Sequence, residues 1–115
     1  MRNGTLDSNF RKENISVSVA VDLISVLNCQ LIVQDENGET ILQVEPINQR
    51  ETIRCLCSKR QITLAKLQEV YDTLYQTKLK ASAMYDRNKW ENIRLKNFEK
   101  YIEALGYHLF ILKIF

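Results

Sequence analysis

Sliding the sequence along itself by 78 residues superimposes two stretches without a gap, and an internal match of this kind restricts the fold more than any single motif does. Identities at Glu13 and Glu91, Asn14 and Asn92, Ile15 and Ile93, Ile24 and Ile102, Leu27 and Leu105, and Leu31 and Leu109 anchor it. The agreement extends from letters to pattern. Leu95, Phe98, Ile102 and Leu105 follow a helical stripe, and their counterparts Val17, Ala20, Ile24 and Leu27 share one face of a helix of the same length. Each helix is expected to close on a residue that tolerates positive φ, Asn28 in the first stretch and Gly106 in the second, with a β-strand after it.

The first of these strands, residues 30–34, runs into Asp35-Glu36-Asn37-Gly38 and a second apolar-rich run, residues 39–44. Asn-Gly between two such runs predicts a hairpin with a type I′ turn, which needs positive φ at both central residues. The other strand, residues 108–115, has no hairpin mate. Its partner is expected to be the edge of the first hairpin, giving a three-stranded sheet, or the same strand of a second subunit.

Between the two matched stretches the lone Pro46 marks a linker, and helical patterns follow it. Ile53, Leu56 and Cys57 predict a helix over about residues 48–59, and Arg60 and Gln61 break it. Thr63 is the expected N-cap of the next helix, with Leu64, Leu67, Tyr71 and Leu74 on one face. A turn at Gln76 and Thr77 leads to a third helix over about residues 79–90, and then to the helix of the second stretch, residues 94–105. In the first stretch the counterpart of the third helix falls on residues 2–12. The expected fold is mainly α with a small antiparallel β-sheet, divided into a partial unit ending in the hairpin, residues 1–46, and a complete unit, residues 47–115.

Charge divides the chain along the same line. Residues 1–49 carry three Lys or Arg against seven Asp or Glu, and residues 50–100 carry twelve against six. The basic half is where a polyanion would bind. No apolar run is long enough for a membrane span and no signal-peptide core opens the chain, so a cytoplasmic location is expected. The three cysteines, Cys29, Cys55 and Cys57, have neither the spacing nor a nearby histidine for zinc and are read as reduced and apolar. His108 is read as a strand histidine. Paired carboxylates, a nucleophile with its base and a Gly-rich phosphate loop are all missing from the sequence, so neither an enzyme nor a cofactor or metal site is expected.

Gln61-Ile62-Thr63-Leu64-Ala65-Lys66-Leu67, then the third helix, Glu91-Asn92-Ile93-Arg94-Leu95, and Tyr101-Ile102-Glu103-Ala104-Leu105-Gly106-Tyr107 resemble, in that order, the lambda-repressor/Cro-like helix-turn-helix family of phages and Gram-positive bacteria. The resemblance covers about residues 50–112, while residues 1–34 match only that family's third helix, following helix and strand. The turn before the third helix is longer than usual and lacks the customary glycine. The resemblance implies a small DNA-binding regulator from a phage or mobile element, its third helix in the major groove of duplex DNA. Carried onto this chain, Lys80, Ser82, Ala83, Asp86 and Arg87 are the candidates for base contacts, and Lys78, Lys89, Arg94 and Lys96 for phosphate contacts. Tyr85 could stack on nucleic acid, whereas Trp90 is assigned to the core.

The family's operator binding also implies a homodimer, and Leu6, Phe10, Leu109 and Ile111 are the expected dimer or docking surface. The alternative function is a phage-encoded inhibitor of the anti-CRISPR type, several of which look similar in carrying helix-turn-helix units. Such a protein would use the scaffold to bind a host CRISPR nuclease or another protein target.

Overall fold

Two of the helices start at side-chain hydroxyl caps in this computed structural model, which describes residues 4–5 and 15–114. In chain order the elements are β1 (Gly4–Thr5), α1 (Val17–Val26), β2 (Cys29–Gln34), β3 (Thr40–Gln43), α2 (Gln49–Arg60), α3 (Leu64–Tyr75), a 3-10 helix (Ala81–Tyr85), α4 (Arg87–Glu91), α5 (Leu95–Ala104) and β4 (His108–Lys113). Ser16 caps α1 by accepting from the Val19 amide, and Thr63 caps α3 by accepting from the Lys66 amide. At their far ends α1, α2, α3 and α5 give way to left-handed residues: Asn28, Gln61, Gln76 and Gly106. The architecture is mainly α with a small antiparallel sheet.

The sheet order is β1-β4-β2-β3, all pairs antiparallel. The last strand thus finds its partners inside the chain: β2 on one side over six residue pairs, and Gly4 and Thr5 on the other. Those two residues form a strand where a helix over residues 2–12 was expected; the remainder of that expected helix, with Leu6 and Phe10, lies outside the described residues.

The hairpin forms, but its turn is not type I′. Gly38 has φ +79°, whereas Asn37 is not among the residues of positive φ. The Asp35 carboxylate accepts from the Asn37 and Glu39 amides at 2.8 and 3.0 Å, and its carbonyl accepts from the Gly38 amide at 3.0 Å. These bonds make Glu36 and Asn37 the central residues of a type I-like turn, with glycine in the left-handed position after it. A register shift follows between Val33 and Gln34.

α1 and α5 cover one face of the sheet. Val17, Ala20 and Ile24 of α1 and Leu95, Phe98, Tyr101 and Ile102 of α5 meet Leu31, Val33, Leu109 and Ile111 in one buried cluster, which Ile53, Leu56, Leu67, Met84 and Trp90 extend. The two expected domains therefore share one core and one sheet. Leu109 and Ile111 are 2% and 1% exposed, so neither forms a dimer or docking surface; β2 and α5 already cover them. Cys29 and Cys57 are buried and Cys55 is exposed, all three as free thiols; burial pushes the Cys57 thiol up to about 11.

The packing of α1–β2 against α5–β4 is reciprocal. The Val17 amide donates to the Ile93 carbonyl at 3.0 Å and the Leu95 amide to the Ile15 carbonyl at 2.7 Å, around a bridge between Ser16 and Arg94. In the sheet, Ile32 faces Phe110, Leu31 faces Ile111 and Val33 faces Leu109. Each helix–strand pair thus meets the other across an approximate two-fold axis near Ile32 and Phe110. Among the described residues the relation covers one helix and one strand per half.

Arg60 ties the hairpin to the second half. Its guanidinium donates to Glu36 at 2.7 Å, lies 4.1 Å over the Tyr107 ring and reaches the Gly106 carbonyl at 3.5 Å. The hydrogen bond from Arg60 holds the Glu36 carboxyl below its ordinary range.

Candidate nucleic-acid interface

The segment after α3 is organised by one carboxylate. Gln76 ends the helix with φ 56°, and Asp72, one turn earlier, reaches over the chain that follows. Its Oδ1 accepts from the Thr77 hydroxyl at 2.6 Å, from Gln68 Nε2 at 3.0 Å and from the Leu79 amide at 3.3 Å; its Oδ2 accepts from the Lys80 amide at 2.8 Å. Partial burial pushes the Asp72 carboxyl up, but these bonds outweigh it and hold the group below its ordinary value. Residues 77–80 consequently belong to no helix or strand, and Lys80 takes φ 64°, ψ 174°, a region that side chains other than glycine rarely enter.

This is why no continuous helix spans residues 79–90. A helix there would need the Leu79 and Lys80 amides free at its first turn and Lys80 in the right-handed region, and Asp72 holds both amides in another geometry. What forms instead is the 3-10 helix and then α4, restarted by Asp86, whose carboxylate accepts from the Lys89 amide at 3.1 Å. Trp90, 3% exposed, locks the pair together by donating from Nε1 to the Ala83 carbonyl at 3.0 Å. The core assignment of Trp90 stands, and Tyr85 is exposed.

Of the residues singled out for base and phosphate contacts, Lys78, Lys80, Ser82, Asp86, Arg87, Arg94 and Lys96 are exposed. Two are placed elsewhere. Ala83 is buried beneath Trp90 and cannot reach a base. Lys89 turns inward: its ammonium donates to the Tyr101 hydroxyl at 2.9 Å and lies 5.2 Å from that ring's centre. Burial lowers the Lys89 pKa, with the Asp86 and Asp72 carboxylates acting in the opposite direction. Tyr101 in turn donates to Gln68 Oε1 at 2.6 Å and stacks on Tyr71 with ring centres 4.1 Å apart. A chain of hydrogen bonds therefore runs from Lys89 through Tyr101 and Gln68 to Asp72 and the Lys80 turn, joining the core to the exposed cations.

Two clefts add residues that the helical reading of the sequence did not select. One, of about 600 Å³, is lined by Lys66 and Lys80 together with Glu69, Asp72, Thr63, Thr73 and Thr77. The other, of about 300 Å³, is lined by Arg50 and Arg87 together with Glu51 and Glu91. Lys66 and Arg50 belong to the basic half of the sequence, so charge rather than helix position was the signal for them. Lys66 is shared with Glu69 at 3.4 Å. Lys78, Lys80, Arg87, Arg94 and Lys96 make no ion pair among the described residues. Among the described residues, no group of three His, Cys, Asp or Glu is placed to hold a metal ion, and no helix is long and apolar enough to cross a membrane. Amines and hydroxyls set on a rigid turn suit phosphate oxygens.

Comparison of the chain with family models, with curated proteins and with solved structures finds no match.

Proposed function

We propose that this protein is a small cytoplasmic DNA-binding regulator of the phage or mobile-element kind, which binds duplex DNA through the basic segment 78–96. The observation that carries the reading is the set of five exposed cations without ion-pair partners among the described residues: Lys78 and Lys80 on the turn fixed by Asp72, Arg87 at the start of α4, and Arg94 and Lys96 at the start of α5. Contact is made by the 3-10 helix and α4 in place of one long recognition helix. Phosphate contacts dominate, and Ser82 and Arg87 are the side chains available for base edges. A homodimer on DNA would have to form through a surface other than Leu109 and Ile111.

A salt series on a fluorescent duplex tests this. Affinity should fall with salt, and because each phosphate contact contributes about 0.9 to the logarithmic slope, replacing both Lys78 and Arg94 by Ala should flatten it by about 2. No binding to duplex at low salt refutes the proposal.

A second reading, inhibition of a host nuclease by direct protein contact, is favoured by one observation. Residues 15–49 contain five acidic side chains and no Lys or Arg, a surface suited to a cationic protein. Inhibition of a CRISPR nuclease that survives the same two substitutions would select this reading over the first.

A further inference from the structure

α1 carries apolar side chains on two of its faces, separated on one side by the polar strip Ser18, Asp22 and Ser25. Its inner face, Val17, Ala20 and Ile24, is buried, while Val19, Leu23, Val26 and Leu27 stand out from the opposite side at 47%, 46%, 81% and 50% exposure. Val19, Leu23 and Val26 lie on one stripe; Leu27, expected on the inner face, follows the last turn of α1 and stands half-exposed beside them, and Asp22 is the only charged residue of the helix. A contiguous exposed apolar stripe rimmed by polar residues is ordinarily an interaction surface.

The approximate two-fold relation shows what such a cover looks like. The corresponding positions on α5 are Asn97, Tyr101, Ala104 and Leu105, of which Tyr101 is fully buried and Leu105 is 6% exposed. Their cover includes α3: Tyr71 stacks on Tyr101, Gln68 accepts its hydroxyl, and the Tyr75 hydroxyl donates to the Lys100 carbonyl at 3.3 Å. One half of the molecule carries a helix in this seat, and among the described residues the other half does not.

Charge identifies the occupant. Asp22 borders the stripe, and it shares a cleft with Glu45 on the flank of α1. A second copy of this chain docked through the same face would bring Asp22 near its own copy, a like-charge contact that opposes pairing. We infer that the outer face of α1 binds an amphipathic helix of another protein, apolar towards Val19, Leu23, Val26 and Leu27 and flanked by Lys or Arg, seated on α1 as α3 is seated on α5. The inference does not depend on whether the basic segment binds DNA.

The test uses the full chain and two synthetic helices of about sixteen residues with the same Leu- and Tyr-bearing face, one flanked by Lys and the other by Glu. The Lys-flanked peptide should bind at least about tenfold more tightly by fluorescence anisotropy at low salt, with the margin narrowing at about 0.5 M salt. Leu23→Lys with Val26→Lys should abolish its binding while leaving the thermal midpoint in place, because both side chains are exposed. Asp22→Lys should reverse the preference between the peptides. Equal affinity for the two peptides, no saturable binding, or binding unaffected by the double substitution overturns the inference. So does a dimer seen by sedimentation that Leu23→Lys dissolves, since the second copy would then occupy the face.

Discussion

The Asp72 carboxylate accepts from two backbone amides, a hydroxyl and a side-chain amide, and none of these donors has another partner of comparable geometry. Asp72→Ala should therefore cost about 1–2 kcal/mol in chemical denaturation, less than a fully buried network would, because water reaches this site. Its folded-state pKa is depressed, so its contribution is complete above the unfolded value near about 3.9 and is lost as pH falls through the folded one. The stability difference between wild type and Asp72→Asn should be flat from about pH 5 to 8 and shrink only below about pH 4. Lys80 supplies a second prediction, in which stability and binding move apart. Its φ 64°, ψ 174° costs a non-glycine residue about 1–3 kcal/mol, against about 0.5–1 kcal/mol that glycine loses in ordering. Lys80→Gly should melt at or above the wild-type temperature and bind duplex DNA more weakly. A lower melting temperature would show that the turn is not strained.

At the scale of elements, the helices and strands flanking the basic segment were legible because local chemistry decides them. Thr63 caps where a hydroxyl precedes a periodic stripe, and Asn28 and Gly106 end α1 and α5 with positive φ. The segment 79–90 was not legible, because its conformation is set by Asp72 from seven and eight residues upstream, and propensity read within a window cannot see that competitor. The inward turn of Lys89 was hidden for a similar reason: its partner, Tyr101, belongs to another helix. The hairpin illustrates a milder form, since Asn-Gly marked the turn correctly while Asp35 decided its type. The helix ends yield a paired prediction. Gly106 sits at φ 85°, and a Cβ there would meet Arg60 Nη2 at 3.5 Å, an ordinary contact, so Gly106→Ala should cost about 1 kcal/mol through backbone strain alone. Asn28→Gly, at φ 59°, should change stability by less than about 0.5 kcal/mol.

At the scale of the whole molecule, the boundary expected at residue 46 falls inside a shared structure. β4 lies between β1 and β2, so a fragment of residues 47–115 would keep α2 to α5 but strip β4 of both neighbours. Leu109 and Ile111 would lose the cover of Leu31 and Val33, and Leu95 and Phe98 the neighbourhood of Val17, Ala20 and Ile24. The fragment would also lose the reciprocal bonds between Val17 and Ile93 and between Leu95 and Ile15, the seam that holds the two halves in register. Burial of these aliphatic side chains stabilises by about 1.5–3 kcal/mol each, and losing several exceeds the whole stability of an ordinary small domain. The fragment is therefore expected to show helical circular dichroism without a cooperative thermal transition, and to bind a hydrophobic dye. A sharp two-state melt from residues 47–115 alone would mean that the basic half folds by itself and that the acidic half is an attachment. The single core predicts the opposite: the apolar α1 face and the basic segment 78–96 are two surfaces of one cooperative unit.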